Sequence, residues 1–168
     1  LRLDWGGKGI NVSRALRNLG QQSTATGFLG GAAGALLEQG LAELNIATAF
    51  IRVAGETRTN LTIHDQSRGR LIKLNEAGPP ITAQDIATLQ DRIRALAAPG
   101  DLWVLAGKLP PGAPDKLYAS LISLLQGQGA CALLDTSGEP LRLGCAAKPY
   151  LIKPNRAEAE QLLGRELT

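Results

Sequence analysis

Leu102-Trp103-Val104-Leu105-Ala106, Ala130-Cys131-Ala132-Leu133-Leu134 and Tyr150-Leu151-Ile152 are three short apolar runs with a helix-patterned stretch, Pro114 to Gln126, between the first two. Strands that are apolar at every position have no solvent side, which is what a parallel sheet covered on both faces requires. These runs predict an α/β fold. Each also ends in a polar, turn-rich segment: Gly107-Lys108-Leu109-Pro110-Pro111-Gly112, Asp135-Thr136-Ser137-Gly138 and Lys153-Pro154-Asn155-Arg156-Ala157-Glu158. In open parallel sheets ligands bind outside the carboxyl ends of the strands, so the three segments predict one polar rim.

Upstream of this core, Val12, Ala15, Leu16 and Leu19 recur at helical spacing before Gly20, and Leu37, Leu41 and Leu44 do so before Asn45. Thr24 to Leu29 reads as a strand. Between Ala49 and Asn75 the runs become short and β-like: Thr59, Leu61 and Ile63 alternate, Ser67-Arg68-Gly69 forms a turn, and Leu71 to Leu74 returns. An alternating, polar-faced hairpin fits a covered parallel sheet poorly and is expected to project as a flap or lid. Thr82 with Asp85 marks a capped helix start for Ile86, Leu89, Ile93 and Leu96, and Pro99-Gly100 ends that helix.

The 168 residues are 44% hydrophobic and 4% aromatic, with 18 basic, 15 acidic and one histidine side chain giving a net charge of +3. Scattered charge with so few aromatics predicts no nucleic-acid partner, and no run approaches the roughly 20 apolar residues of a membrane helix. The expected setting is cytoplasmic, with Cys131 and Cys145 as reduced packing residues. Leu1-Arg2-Leu3-Asp4 does not read as a signal-peptide start. The absence of methionine and the lack of a closing element after Gly164 suggest an interior fragment.

Candidate chemistry begins at Gly6-Gly7-Lys8-Gly9-Ile10-Asn11, which runs into the first helix. Glycines there allow close backbone approach, helix N–H groups favour anions, and Lys8 adds a full charge. A tight turn with Asn11 as helix cap explains the same residues without a ligand. Neither the P-loop nor the dinucleotide fingerprint is present, and Gly27 to Gly34 reads as structural. Arg58 in Gly55-Glu56-Thr57-Arg58-Thr59-Asn60 fits either a phosphate clamp or an exposed strand arginine. His64 lacks a matching acid and nucleophile and reads as a surface or packing histidine.

Taken in order, Gly6-Gly7-Lys8-Gly9-Ile10-Asn11, Gly55 to Asn60, Asn75-Glu76-Ala77-Gly78-Pro79, Gly107 to Gly112, Leu134-Asp135-Thr136-Ser137-Gly138 and Ile152-Lys153-Pro154-Asn155 with Glu158 resemble the ribokinase-like, phosphofructokinase B-type sugar kinases. Within that family the chain is most similar to the branch acting on sugar phosphates, 1-phosphofructokinase and tagatose-6-phosphate kinase. The resemblance implies a three-layer α/β/α sandwich with a mainly parallel sheet and a small β lid near residues 49–75, all within one kinase domain truncated at both ends. It implies ATP and Mg2+, a sugar-phosphate substrate and a homodimer formed through the lid. Gly6, Gly7, Lys8 and Asn11 would hold the sugar or its phosphate, Arg58 and Lys108 the phosphate, and Lys153, Asn155 and Glu158 the ATP phosphates and magnesium, Asn155 and Glu158 on the metal side.

Three departures from the family pattern stand out. Lys108 replaces the serine of Gly-Ser-Leu-Pro, which would either strengthen phosphate binding or obstruct the sugar. The Gly-Ala-Gly-Asp segment with the family's catalytic aspartate is absent, so no catalytic residue is assigned within the chain and the base is expected beyond Thr168. The N-terminal strand with the family's sugar-binding aspartate is also absent, and Asp4 stands too close to Gly6 to substitute. The expected activity is conversion of fructose 1-phosphate to fructose 1,6-bisphosphate by the complete gene product, with the 168-residue chain inactive alone. Tagatose-6-phosphate or fructose-6-phosphate kinase, a kinase of nucleosides or free sugars, and a non-catalytic sugar-phosphate-binding protein are the alternatives; a dinucleotide-dependent oxidoreductase is disfavoured by the missing fingerprint.

Overall fold

Strands β7 (Leu102–Ala106), β8 (Cys131–Asp135) and β9 (Leu151–Ile152) form a parallel sheet with β8 in the middle, as their apolar sequences predict, but the expected cover on both faces holds for β8 and not for the edge strand β9, whose Leu151 and Ile152 are exposed. The structure is a computed structural model and describes residues 4–65 and 69–167. Leu134 on β8 is wholly buried, and Leu105 on β7 nearly so. Behind β8 lie α4 (Leu117–Gly127) and α5 (Gly138–Ala146), which bury Leu121, Ile122, Leu125 and Leu141 against it. Helix α3 (Ala83–Leu96) packs on α4 and contributes Leu89 and Ile93 to the same core.

The expected strand from Thr24 to Leu29 is split into β1 (Thr24–Ala25) and β2 (Phe28–Leu29), paired in parallel with β3 (Ala47–Thr48) and β4 (Ile51–Arg52). Gly27, at φ 140°, turns the chain between the halves, while Thr26 Oγ1 donates to the Ala49 carbonyl at 2.8 Å. The pairing continues across the break, because Ala49, Ile51 and Val53 N–H groups reach the carbonyls of Ala25, Gly27 and Leu29. Ile51 joins the core of β7 and β8, so these strands share one apolar layer with the three-stranded sheet.

Helix α1 (Lys8–Asn18) lies on β1 and β7, and α2 (Gly31–Glu43) on β3. The predicted face of α1 is rotated: Ser13 is its buried residue, Ile10 packs on the Ala25–Leu41–Ile46 cluster, and Ala15 and Leu19 are exposed. Leu41 is buried with Leu37 and Leu44 against it, as their spacing predicts. Asn45, in the left-handed region at φ 53°, closes α2 by donating to Ala42 O while Ile46 donates to Leu41 O. Thr82 and Asp85 form the predicted capping box.

Helix α5 itself contains Gly138, Pro140 and Gly144, all poor helix formers, which is why periodicity does not reveal it. Pro140 is tolerated because it sits in the first turn, where no intrahelical N–H bond is lost. A Cβ on Gly144 would overlap Leu134 Cδ2, so the glycine sets how closely α5 approaches β8. Helix α6 (Arg156–Leu163) completes the described elements.

Strands β5 (Asn60–Asp65) and β6 (Arg70–Asn75) pair with each other as an antiparallel hairpin. The expected turn at Ser67-Arg68-Gly69 falls largely outside the described residues. Opposed residues in such a ladder point to the same side, so Leu61–Leu74 and Ile63–Ile72 form one apolar face, and all four side chains are exposed. The expected polar face is present on the other side, where Thr62 stands opposite Lys73, because alternation in each strand, combined in this register, segregates the two kinds of side chain.

Candidate functional site

The carboxyl ends of β7, β8 and β9 carry Lys108, Asp135 and Lys153 onto one edge, as the strand-end argument predicts. Asp135 is the junction. Lys8 Nζ donates to Asp135 Oδ1 at 2.6 Å, and Lys153 Nζ lies 3.4 Å from Oδ2. The carboxylate side chain is 17% exposed, against 50% for Lys8 and 73% for Lys153. Burial by itself would raise the Asp135 carboxyl, but the hydrogen bonds and charges of Lys8 and then Lys153 outweigh it and hold it below the ordinary aspartate range.

The strand end beneath is tied together by one carbonyl. Gly107 O accepts from Thr136 Oγ1 at 2.8 Å and from Tyr118 Oη at 3.1 Å, while Gly107 N–H donates to Asp135 O at 2.9 Å. Burial and the neighbouring Asp135 charge push the Tyr118 phenol up to about 12, so it remains a neutral donor. Lys108, the next residue, is exposed.

On the first loop, Gly7 occupies the N-cap of α1 at φ 128°, a backbone conformation that favours glycine, and no side chain caps the helix. Asn11 is not the cap. Its N–H already donates to Gly7 O at 2.8 Å inside the first turn, because the helix starts at Lys8, and its side chain is exposed. Gly6, Gly7, Lys8 and Asn11 therefore sit at an uncapped helix N-terminus whose lysine reaches Asp135.

The segment before Arg58 is docked on another helix start. Glu56 accepts from the N–H groups of Ala32 and Ala33 at 3.0 and 3.1 Å, and Thr57 Oγ1 accepts from Gly30 N–H at 2.9 Å. Those backbone hydrogen bonds, from Ala33 first and then Ala32, hold the Glu56 carboxyl below its usual range. Cβ atoms on Gly30 and Gly31 would overlap Gly55 O and the Glu56 carboxylate, so this glycine-rich turn admits the chain's own glutamate. Its structural reading stands. Arg58 is exposed, its stem lying near Gly78, and Thr59 N–H donates to Glu76 at 2.7 Å.

Asn155 caps α6 by accepting from Glu158 N–H at 2.9 Å, while Glu158 Oε2 accepts from Asn155 N–H at 2.8 Å. The capping box fixes both side chains just beyond Lys153. A shallow cavity of about 190 Å3 between α5 and α6 has Glu139, Arg142 and Glu158 in its walls. A larger hollow, about 340 Å3, lies at the N-terminal ends of β1 and β3, away from the lysine–aspartate junction. Among the described residues no group of three or more His, Cys, Asp or Glu side chains converges as a metal cage, and no helix is long and apolar enough to cross a membrane.

The structure thus gathers Lys8, Lys108 and Lys153 at one edge, with Asn155 and Glu158 following Lys153 in the chain. Arg58 stands on a separate segment between Glu56 and the hairpin. Sequence reasoning gave no role to two residues, Asp135 and Glu56. The first was placed on the polar rim and in a family motif without its lysine partners; the second gave no signal of its contacts, since its partners lie 23 and 24 residues earlier.

A central parallel sheet, helices covering it, a projecting hairpin and a cationic rim at the strand ends define a ribokinase-like α/β/α domain. The pfkB family carbohydrate kinase profile matches residues 1–168, and the chain belongs to that family. It is 42% identical over 162 residues to 1-phosphofructokinase of Vibrio cholerae, covering 96% of this chain and 51% of that protein. It is 36% identical over 165 residues to a tagatose-6-phosphate kinase of Staphylococcus epidermidis, covering 97% and 53%. Escherichia coli phosphofructokinase-2, solved in complex with fructose-6-phosphate, superposes with a TM-score of 0.91 at 35% identity, covering 97% of this chain and 54% of that one. The chain spans about half the length of the relatives it matches.

Proposed function

We propose that the gene product phosphorylates a ketose phosphate at the expense of ATP, converting fructose 1-phosphate to fructose 1,6-bisphosphate. The observation that carries this is the meeting of Lys8 and Lys153, from segments at opposite ends of the chain, on Asp135. Phosphoryl transfer depends on aligning two anionic reactants and neutralising their charge, which calls for cations from two loops at one place. Lys8, with Gly6, Gly7 and Asn11 at the open start of α1, takes the acceptor. Arg58 and Lys108 bind its phosphate, and Lys153 with Asn155 and Glu158 takes the ATP phosphates.

Mg2+ uses oxygen donors and commonly needs only one or two carboxylates besides water and substrate phosphates. Glu158 and Asn155 suit that donor chemistry: the capping box uses Glu158 Oε2 and orients the carboxylate on a rigid helix start. The bound cation supplies charge neutralisation at the ATP phosphates. The hairpin acts as the lid, excluding water on closure, and its apolar face pairs with a second copy. No residue of the chain is assigned as the base that deprotonates the acceptor hydroxyl, so residues 1–168 alone are expected not to turn over.

The test is ADP release by the complete gene product with MgATP and fructose 1-phosphate, fructose 6-phosphate, tagatose 6-phosphate, ribose or adenosine. Turnover restricted to fructose 1-phosphate is expected. Turnover of another ketose phosphate reassigns the substrate, and a folded protein that binds sugar phosphate without turnover is a sensor rather than an enzyme. Robust turnover by residues 1–168 alone overturns the fragment reading.

A further inference from the structure

We infer that Asp135 is a positioning residue that sets the acceptor-side cation Lys8 and the nucleotide-side cation Lys153 from a single carboxylate; the assignment of those two sides rests on the function proposed above. Each oxygen serves one ammonium: Oδ1 holds Lys8 and Oδ2 faces Lys153. The anion itself is fixed. Asp135 closes β8 opposite Ala106 of β7, its carbonyl accepts from Gly107 N–H, and the adjoining Thr136 and Tyr118 hydroxyls lock that same glycine. Two long, exposed lysine side chains are thereby given a rigid reference at the carboxyl end of the central strand.

The place of Lys8 supports this independently. It is the first residue of α1, whose first turn contains no acid, and a cation there opposes the positive end of the helix dipole. A residue chosen for helix stability would be Asp or Glu. Lys8 is held instead by a carboxylate 127 positions away in sequence, whereas Arg94–Asp91, Arg142–Glu139 and Arg156–Glu160 are neighbours on single helix faces. An exposed pair of the latter kind adds little. The Lys8–Asp135–Lys153 arrangement serves to present two cations together.

The experiment is a mutant cycle on the complete gene product, read by calorimetric Kd for fructose 1-phosphate and for the Mg2+ complex of a non-hydrolysable ATP analogue. Asp135→Asn is expected to weaken both ligands about three- to tenfold, the scale of a partly lost charge-assisted contact. In a Lys8→Met background the same change should no longer affect fructose 1-phosphate yet still weaken the nucleotide; in a Lys153→Met background the pattern should reverse. Asp135→Glu, which keeps the charge but moves it by one methylene, should give a smaller effect with the same lysine dependence and serves if the asparagine variant does not fold. Tighter binding of both ligands in Asp135→Asn, or weakening indifferent to either lysine, overturns the inference. The kinase reading is decided separately by wild-type ADP release, and the cycle is read with whichever sugar phosphate the wild type binds; a wild type that binds neither sugar phosphate nor nucleotide overturns both.

Discussion

Glu56 shows how much a single side chain can organise. By accepting from Ala32 and Ala33 it closes the start of α2 and fixes the segment that carries Arg58 two residues later. Glu56→Gln should therefore lower the thermal midpoint and raise the acceptor KM, with kcat changed less. Because the folded carboxyl titrates below its ordinary 4.5, its stabilisation is complete above that pH and is lost as pH falls through the lowered value. The wild-type advantage in thermal midpoint should thus be present at pH 7 and close on acidification; an advantage that grows in acid contradicts the assignment. Lys108 is exposed and follows Gly107 at the end of β7. Lys108→Ser should raise KM for a ketose phosphate by about threefold, the loss of one solvent-exposed charge contact, and leave unphosphorylated fructose unchanged. Equal effects on both sugars exclude a phosphate contact.

At the scale of elements, the start of α6 combines two roles that substitution can separate. Asn155 is both its N-cap and a proposed ligand of the ATP phosphates and magnesium. Serine caps nearly as well but is shorter, so Asn155→Ser should hold stability within about 0.5 kcal/mol while raising KM for MgATP. If stability falls and KM does not, the residue is a cap only. The sheet beneath depends on β8: Leu134 is wholly buried between α4, α5 and its neighbours. Leu134→Ala should cost about 3 kcal/mol in denaturant unfolding, since α5 is already drawn close by Gly144 and cannot collapse further into the cavity. Elements were legible where apolar periodicity and end signals agreed, as in α2, α3, β7 and β8. They were obscured where glycine and proline interrupt the pattern, as in α5, or where one strand is broken by a glycine, as at Gly27.

For the molecule as a whole, the hairpin carries the surface on which the proposed homodimer rests. Leu61, Ile63, Ile72 and Leu74 form an exposed apolar face next to the Arg58 segment. Ile72→Asp in the complete gene product should convert a dimer to a monomer in sedimentation, without changing the far-ultraviolet spectrum. A protein that remains dimeric places the interface elsewhere. The sequence by itself determined the α/β class, the run of motifs that marks the family, and the edge of the sheet where the chemistry gathers, because strand burial and strand-end polarity are local patterns. Only the tertiary structure decided that Asp135 joins Lys8 to Lys153, that Glu56 fills the start of α2, and that the hairpin has an apolar face. Each of those depends on which distant residues meet and in what register, and such contacts leave no periodic trace along the chain.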